Sequence, residues 1–175
     1  YSMGGAIAQL IAREHRDVVS GLVLSATAQH WQEPEAQRLF RRMVAFGLAL
    51  SLAPRASWRS SFRRVGMRES RETAWLRSEL LRHSVSDLIE AGRELGRFDS
   101  RPWLGAVSVP AAVVVTTRDQ AVAPAKQREL AAALRASVFE SPINHLQVAA
   151  RARDYNPALL AALAAVGKTE GVTGA

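Results

Sequence analysis

The chain has 175 residues, no cysteine and a formal net charge of +7. Without thiols there are no disulfides, no thiolate-bound metals and no cysteine nucleophile, and no run approaches the ~18 apolar residues of a membrane-spanning helix. A hydrophobic fraction of 48% with 22% charged residues fits one globular domain with a real core, expected in a reducing compartment and read as cytoplasmic.

Nearly all the positive charge is arginine, since Lys126 and Lys168 are the only lysines. Arginines are densest between Arg38 and Arg101, interleaved with Glu and Asp and without a nucleic-acid-binding motif. They read as a solvated helical surface, so no nucleic-acid partner is expected. A basic nucleic-acid module is the competing reading, and salt-dependent DNA retention is its test.

The chain opens on Tyr1-Ser2-Met3-Gly4-Gly5-Ala6-Ile7-Ala8-Gln9-Leu10. Ile7, Leu10 and Ile11 fall at i, i+3 and i+4, which predicts a helix from about Gly4 to His15. Gly4, Gly5 and Ala6 let that helix pass close to its neighbours. Ser2-Met3-Gly4 supplies the last three positions of a G-x-S-x-G elbow, in which a sharp turn holds a serine hydroxyl exposed. The competing reading makes Ser2 a plain N-cap.

Val18 to Ala26 reads as a buried strand, so helix and strand form one step of a parallel α/β sheet. Thr27 to Val107 has no convincing strand and carries Trp31, Trp58, Trp75 and Trp103. Helices are predicted over Glu35 to Leu52, closed by Pro54, then over Glu69 to Leu81 and Val85 to Leu95. Leu39, Phe40, Met43, Val44 and Leu48 would form the apolar stripe of the first. Ser86-Asp87 would help start the last, and Gly96 would follow it. Strand character returns at Val107 to Thr117, and Pro124 opens a helix through Ala136 with Leu130 and Leu134 inward. Ser137 to Glu140 is a short strand, and a last helix is expected from Pro157 to Val166.

The residues with chemistry stand where strands end. Ser2 opens the chain, Asp119 follows the valine-rich strand and His145 follows the last strand. A doubly wound sheet binds ligands at the carboxyl ends of its strands. A serine needs a base, and the base needs an acid to fix its tautomer. Bland readings stand beside these: Asp119 as a turn aspartate and His145 as a loop histidine. Glu33 is a fallback acid and His30 a second candidate to line a pocket. His15 and His83 read as surface residues. Trp31, Phe40, Phe46, Trp58 and Trp75 would pack the helical region or line an apolar pocket. No His/Asp/Glu cluster has metal-ligand spacing and no glycine-rich phosphate loop follows a strand, so neither metal nor cofactor is expected.

These stretches resemble the α/β-hydrolase fold superfamily. Tyr1 to Gly5 looks like its nucleophile elbow, Val109-Pro110 through Pro124 like its seventh strand and acid-bearing turn, and Asn144-His145-Leu146 like its histidine loop. The resemblance implies the C-terminal portion of a doubly wound, mostly parallel sheet with a helical cap. Residues 1–28 would hold the elbow helix and next strand, 29–106 the cap, 107–166 the acid and histidine loops, and 167–175 a disordered tail. It implies Ser2 as nucleophile, His145 as general base and acid, Asp119 as orienting acid and the Met3 N–H as one oxyanion-hole donor. The family's first five strands and second oxyanion donor have no counterpart here. The expectation is a serine hydrolase of small or medium carboxylic esters, with a small-molecule partner, inactive as this chain alone. A C–C hydrolase, a cofactor-free haloperoxidase or a non-catalytic ligand-binding protein would use the same residues.

Overall fold

Parallel pairing of three short strands builds the centre of the chain. A computed structural model describes residues 1–32, 34–64 and 66–167. Strands β1 (Leu22–Ser25), β2 (Ala111–Thr116) and β3 (Ser137–Ser141) lie in the order β1-β2-β3, all parallel. Leu22 is in register with Ala111, and Val113 with Val138. β2 is the middle strand, and its run Val113-Val114-Val115 is fully buried. A strand covered on both faces needs such a continuous apolar run.

Alternate residues of β2 face different helices. Val113 and Val115 pack with Ala12 of α1 (Met3–Glu14) and with Leu130, Ala131 and Leu134 in and just beyond α6 (Pro124–Ala133). Ala112 and Val114 pack with Tyr155 and Ala162 of α7 (Ala152–Gly167). Helices on both faces are the doubly wound arrangement expected.

Between β1 and β2 stand α2 (Pro34–Leu52), α3 (Pro54–Arg64), α4 (Arg71–Leu80) and α5 (Val85–Arg97). Leu50, Trp58, Phe62 and Met67 form a core of their own, which also meets Leu146 and Ala150 just beyond His145. Trp31 packs against Phe98, and Phe46 meets Trp58 edge-on, while Trp75 is exposed. Trp103 joins the sheet core and receives Arg13 over its ring. The side chains of Leu39, Phe40, Met43, Val44 and Leu48, like residue Glu33 and residues 168–175 of the tail, lie outside the described residues.

Several boundaries differ from the sequence reading. β1 begins at Leu22 because Arg16–Val18 closes a 3₁₀ turn that leaves Val18 71% exposed. Gly21 then lets α7 approach: a Cβ there would lie 2.2 Å from Val166 Cγ1. β2 begins at Ala111, after a 3₁₀ turn at Leu104–Ala106, although Val107 and Val109 are buried. Pro54 ends α2 and also opens α3, because its fixed φ suits a first helical turn. The cap of α5 is Ser84, whose hydroxyl accepts from the Asp87 N–H while Asp87 accepts from the Ser84 N–H. The helix runs on through Gly96 to Arg97. α7 begins at Ala152, with Pro157 inside it.

Candidate active site

Ser2 sits at a strained turn. Its φ of 51° and ψ of −129° place it where non-glycine residues rarely go, at a cost of about 1–3 kcal/mol. Helix α1 starts immediately after it, and the Ser2 N–H donates to the Ser25 carbonyl at the end of β1. The Ser2 side chain makes no capping bond to α1. Its Oγ lies 2.9 Å from His145 Nε2, which favours the elbow over the N-cap reading.

Gly5, more than Gly4, permits the tight turn. A Cβ on Gly5 would stand 2.5 Å from Thr27 Cγ2, whereas Gly4 has open space. Gln9, one turn further on, donates from Nε2 to the carbonyls of Gly5 and Ala28. It fixes α1 against the segment after β1.

Asp119 lies in the turn after β2 with its side chain fully enclosed. Its Oδ1 accepts from the N–H groups of Ala121 (2.8 Å) and Val122 (2.9 Å), and its Oδ2 from the Thr116 hydroxyl (2.9 Å). Gln127 of α6 braces that turn, donating to the Thr116 hydroxyl and the Val122 carbonyl and accepting from the Thr116 N–H. A buried carboxylate given three donors is held in one orientation. Thr116 and Gln127, which set the surroundings of Asp119, escaped the sequence reading. Thr116 ends a valine run, whereas Gln127 stands among Lys126, Arg128 and Glu129, where nothing local marks it as buried.

His145 follows β3, where Asn144 and Gln147 exchange two hydrogen bonds through their side-chain amides. Arg118 N–H donates to the Ile143 carbonyl and Thr117 N–H to the Ser141 carbonyl, tying acid turn and histidine loop together. His145 Nδ1 is 2.8 Å from Asp119 Oδ2, so this nitrogen carries the proton toward the carboxylate. Nε2 is then left as the acceptor facing Ser2.

Tyr1 also belongs to this constellation and was missed as a side chain with a role. Its hydroxyl donates to the His145 carbonyl at 2.8 Å, and its ring centroid lies 5.0 Å from that of the imidazole. Partial loss of water around the phenol, and then the charge of Asp119, hold it above the ordinary tyrosine range, although the residue as a whole is 46% exposed. The Met3 N–H is the first amide of α1 and is left unused by helical hydrogen bonding.

The other candidates stand apart. His30 is buried at a bridge to Asp99, and His15 and His83 are exposed. Glu33 lies outside the described residues. Among the described residues no group of three or more His, Asp or Glu side chains is placed to hold a metal, and no helix is long and apolar enough to cross a membrane.

Solved structures share this fold. A hydrolase from Pseudomonas aeruginosa PA01 superposes with a TM-score of 0.73 at 21% identity, covering 93% of this chain and 62% of that one. An enol-lactonase from Burkholderia xenovorans LB400 gives 0.65 at 27% identity, covering 93% and 63%. An esterase from Exiguobacterium antarcticum gives 0.75 at 14% identity, covering 92% and 63%. The chain thus spans less than two thirds of the length of these neighbours. No curated protein matches it. Residues 1–143, from the serine turn through β3, match the family described as serine aminopeptidase, S33, and the chain belongs to that family of α/β hydrolases.

Proposed function

We propose that the chain carries the reacting residues of a serine hydrolase acting on a small or medium carboxylic ester. The reading rests on one observation: the unbroken run Ser2 Oγ–His145 Nε2 at 2.9 Å and His145 Nδ1–Asp119 Oδ2 at 2.8 Å. In this mechanism Ser2 Oγ attacks the ester carbonyl carbon while its proton passes to His145 Nε2. Asp119 stabilises the imidazolium, and the Met3 N–H donates to the developing oxyanion. His145 returns the proton to the leaving alcohol. Water, deprotonated by the same nitrogen, then attacks the acyl-enzyme and releases the acid. Helices α2–α5 are proposed as a cap, since their core packs on the residues following His145.

An oxyanion hole uses two donors, and losing one typically costs about 2.7–4 kcal/mol of transition-state stabilisation. Only the Met3 N–H is proposed here, so the 175-residue chain alone is proposed to be inactive. The second donor would come from a longer chain. A non-catalytic ligand-binding protein of hydrolase fold, which would keep the same residues without turnover, is the second reading.

Hydrolysis of p-nitrophenyl acetate, butyrate and octanoate, and of matched amides, tests the proposal. An upstream-lengthened chain should cleave the esters and lose the activity about a thousandfold or more with Asp119→Asn. Amide cleavage in preference to ester would overturn the ester assignment. Ester binding without turnover by the lengthened chain would favour the second reading.

A further inference from the structure

Outside the serine site, α3 and α4 enclose a cavity of about 550 Å³ between Arg59, Phe62, Arg63, Met67, Arg68 and Glu69. Its volume lies within the range of small-molecule sites. The floor is apolar, because Phe62 and Met67 are buried in the core that also holds Trp58. The walls are basic. Arg55, Arg59 and Arg63 repeat at i, i+4 and i+8 along α3, a helix without a single acidic residue.

The one acid lining the cavity is already engaged. Glu69 accepts from Arg77 at 2.8 Å, with Arg59 3.9 Å away. Arg68 has no acidic partner among the described residues, and Arg63 shares the one carboxylate of Glu69 with Arg59 and Arg77. Arg59, Arg63 and Arg68 against one carboxylate that Arg77 already engages leave an excess of positive charge above the apolar floor, which suits a ligand with an anionic head and an apolar body. Guanidinium favours a planar carboxylate, which it holds through two parallel hydrogen bonds. We propose that this cavity is a binding site for an organic carboxylate with an alkyl body, its head on Arg63 and Arg68 and its chain on Phe62 and Met67. None of Ser2, Asp119 and His145 lines it.

Titration of the chain with octanoate, with octanol as neutral body and with acetate as bare head, tests this. Amide shifts at Gly66, Met67 and Thr73 in ¹H–¹⁵N spectra locate the binding. Octanoate should shift these amides, octanol and acetate should bind at least about tenfold more weakly, and 0.5 M NaCl should weaken octanoate binding. Arg63→Gln with Arg68→Gln should weaken it about tenfold or more, while Arg55→Gln, outside the lining, leaves it unchanged. Equal binding of octanol, salt-independent octanoate binding, shifts confined to other amides, or full affinity in the folded double variant would each overturn the assignment. The salt dependence decides the matter in the unmodified chain should the double variant not fold.

Discussion

At the scale of single residues, the serine turn is built by a clash avoided and a strain accepted. A methyl on Gly5 would overlap Thr27, so Gly5→Ala should lower the unfolding free energy by about 1–3 kcal/mol in urea titrations. Gly4→Ala meets open space in a helix and should instead raise it by about 0.5–1 kcal/mol. Equal effects of the two changes would mean that the Gly5–Thr27 approach does not shape the elbow. Tyr1 gives a pH signature. Its folded-state phenol is held above the ordinary range, so the unfolded chain releases this proton first, near pH 10. The stabilisation is present below that pH and falls as pH rises beyond it. Urea stability measured at pH 8 and pH 11 should therefore drop less in Tyr1→Phe than in the unmodified chain. An identical drop would show that the phenol does not sense Asp119 or a loss of water.

At the scale of elements, α6 acts as a brace for the acid turn. Gln127→Leu keeps the bulk of a buried side chain but strands the Thr116 N–H and the Val122 carbonyl. Thermal unfolding should show a loss of about 1–3 kcal/mol. Unchanged stability would mean that the turn holds without α6. The elements themselves were largely legible in the sequence. Valine runs marked the sheet, and Asp119 and His145 fell where strands end. Prolines were less legible: Pro54 ends one helix and opens the next, and Pro157 sits inside α7 rather than at its start. Proline fixes φ and removes a donor, but tertiary packing decides on which side of it the helix lies. The length of β1 was overread, because Val18 looks like core in composition while the 3₁₀ turn at Arg16–Val18 turns it outward. The Gln127–Thr116 brace was not legible, since it depends on a contact between α6 and the end of β2 that no local pattern encodes.

At the scale of the whole molecule, α1 carries an unshielded apolar side. Met3, Ile7, Leu10 and Ile11 are 37–49% exposed, and β1 pairs only with β2 among the described residues. An open strand edge beside an apolar helix face invites pairing between chains. Sedimentation velocity should show concentration-dependent association of the 175-residue chain, reduced by Ile7→Lys with Ile11→Glu. A monomer at all concentrations would show that this side is no liability. The central claim, however, concerns an activated serine, and intact-mass analysis after fluorophosphonate treatment tests it most directly. Ser2 Oγ would displace fluoride from phosphorus and leave one phosphonyl adduct. The account predicts a single adduct on an upstream-lengthened chain, none on its Ser2→Ala variant, and little or none on the 175-residue chain with its single proposed oxyanion donor. A lengthened chain that stays unmodified would contradict the account, because His145 and Asp119 would then hold Ser2 without activating it.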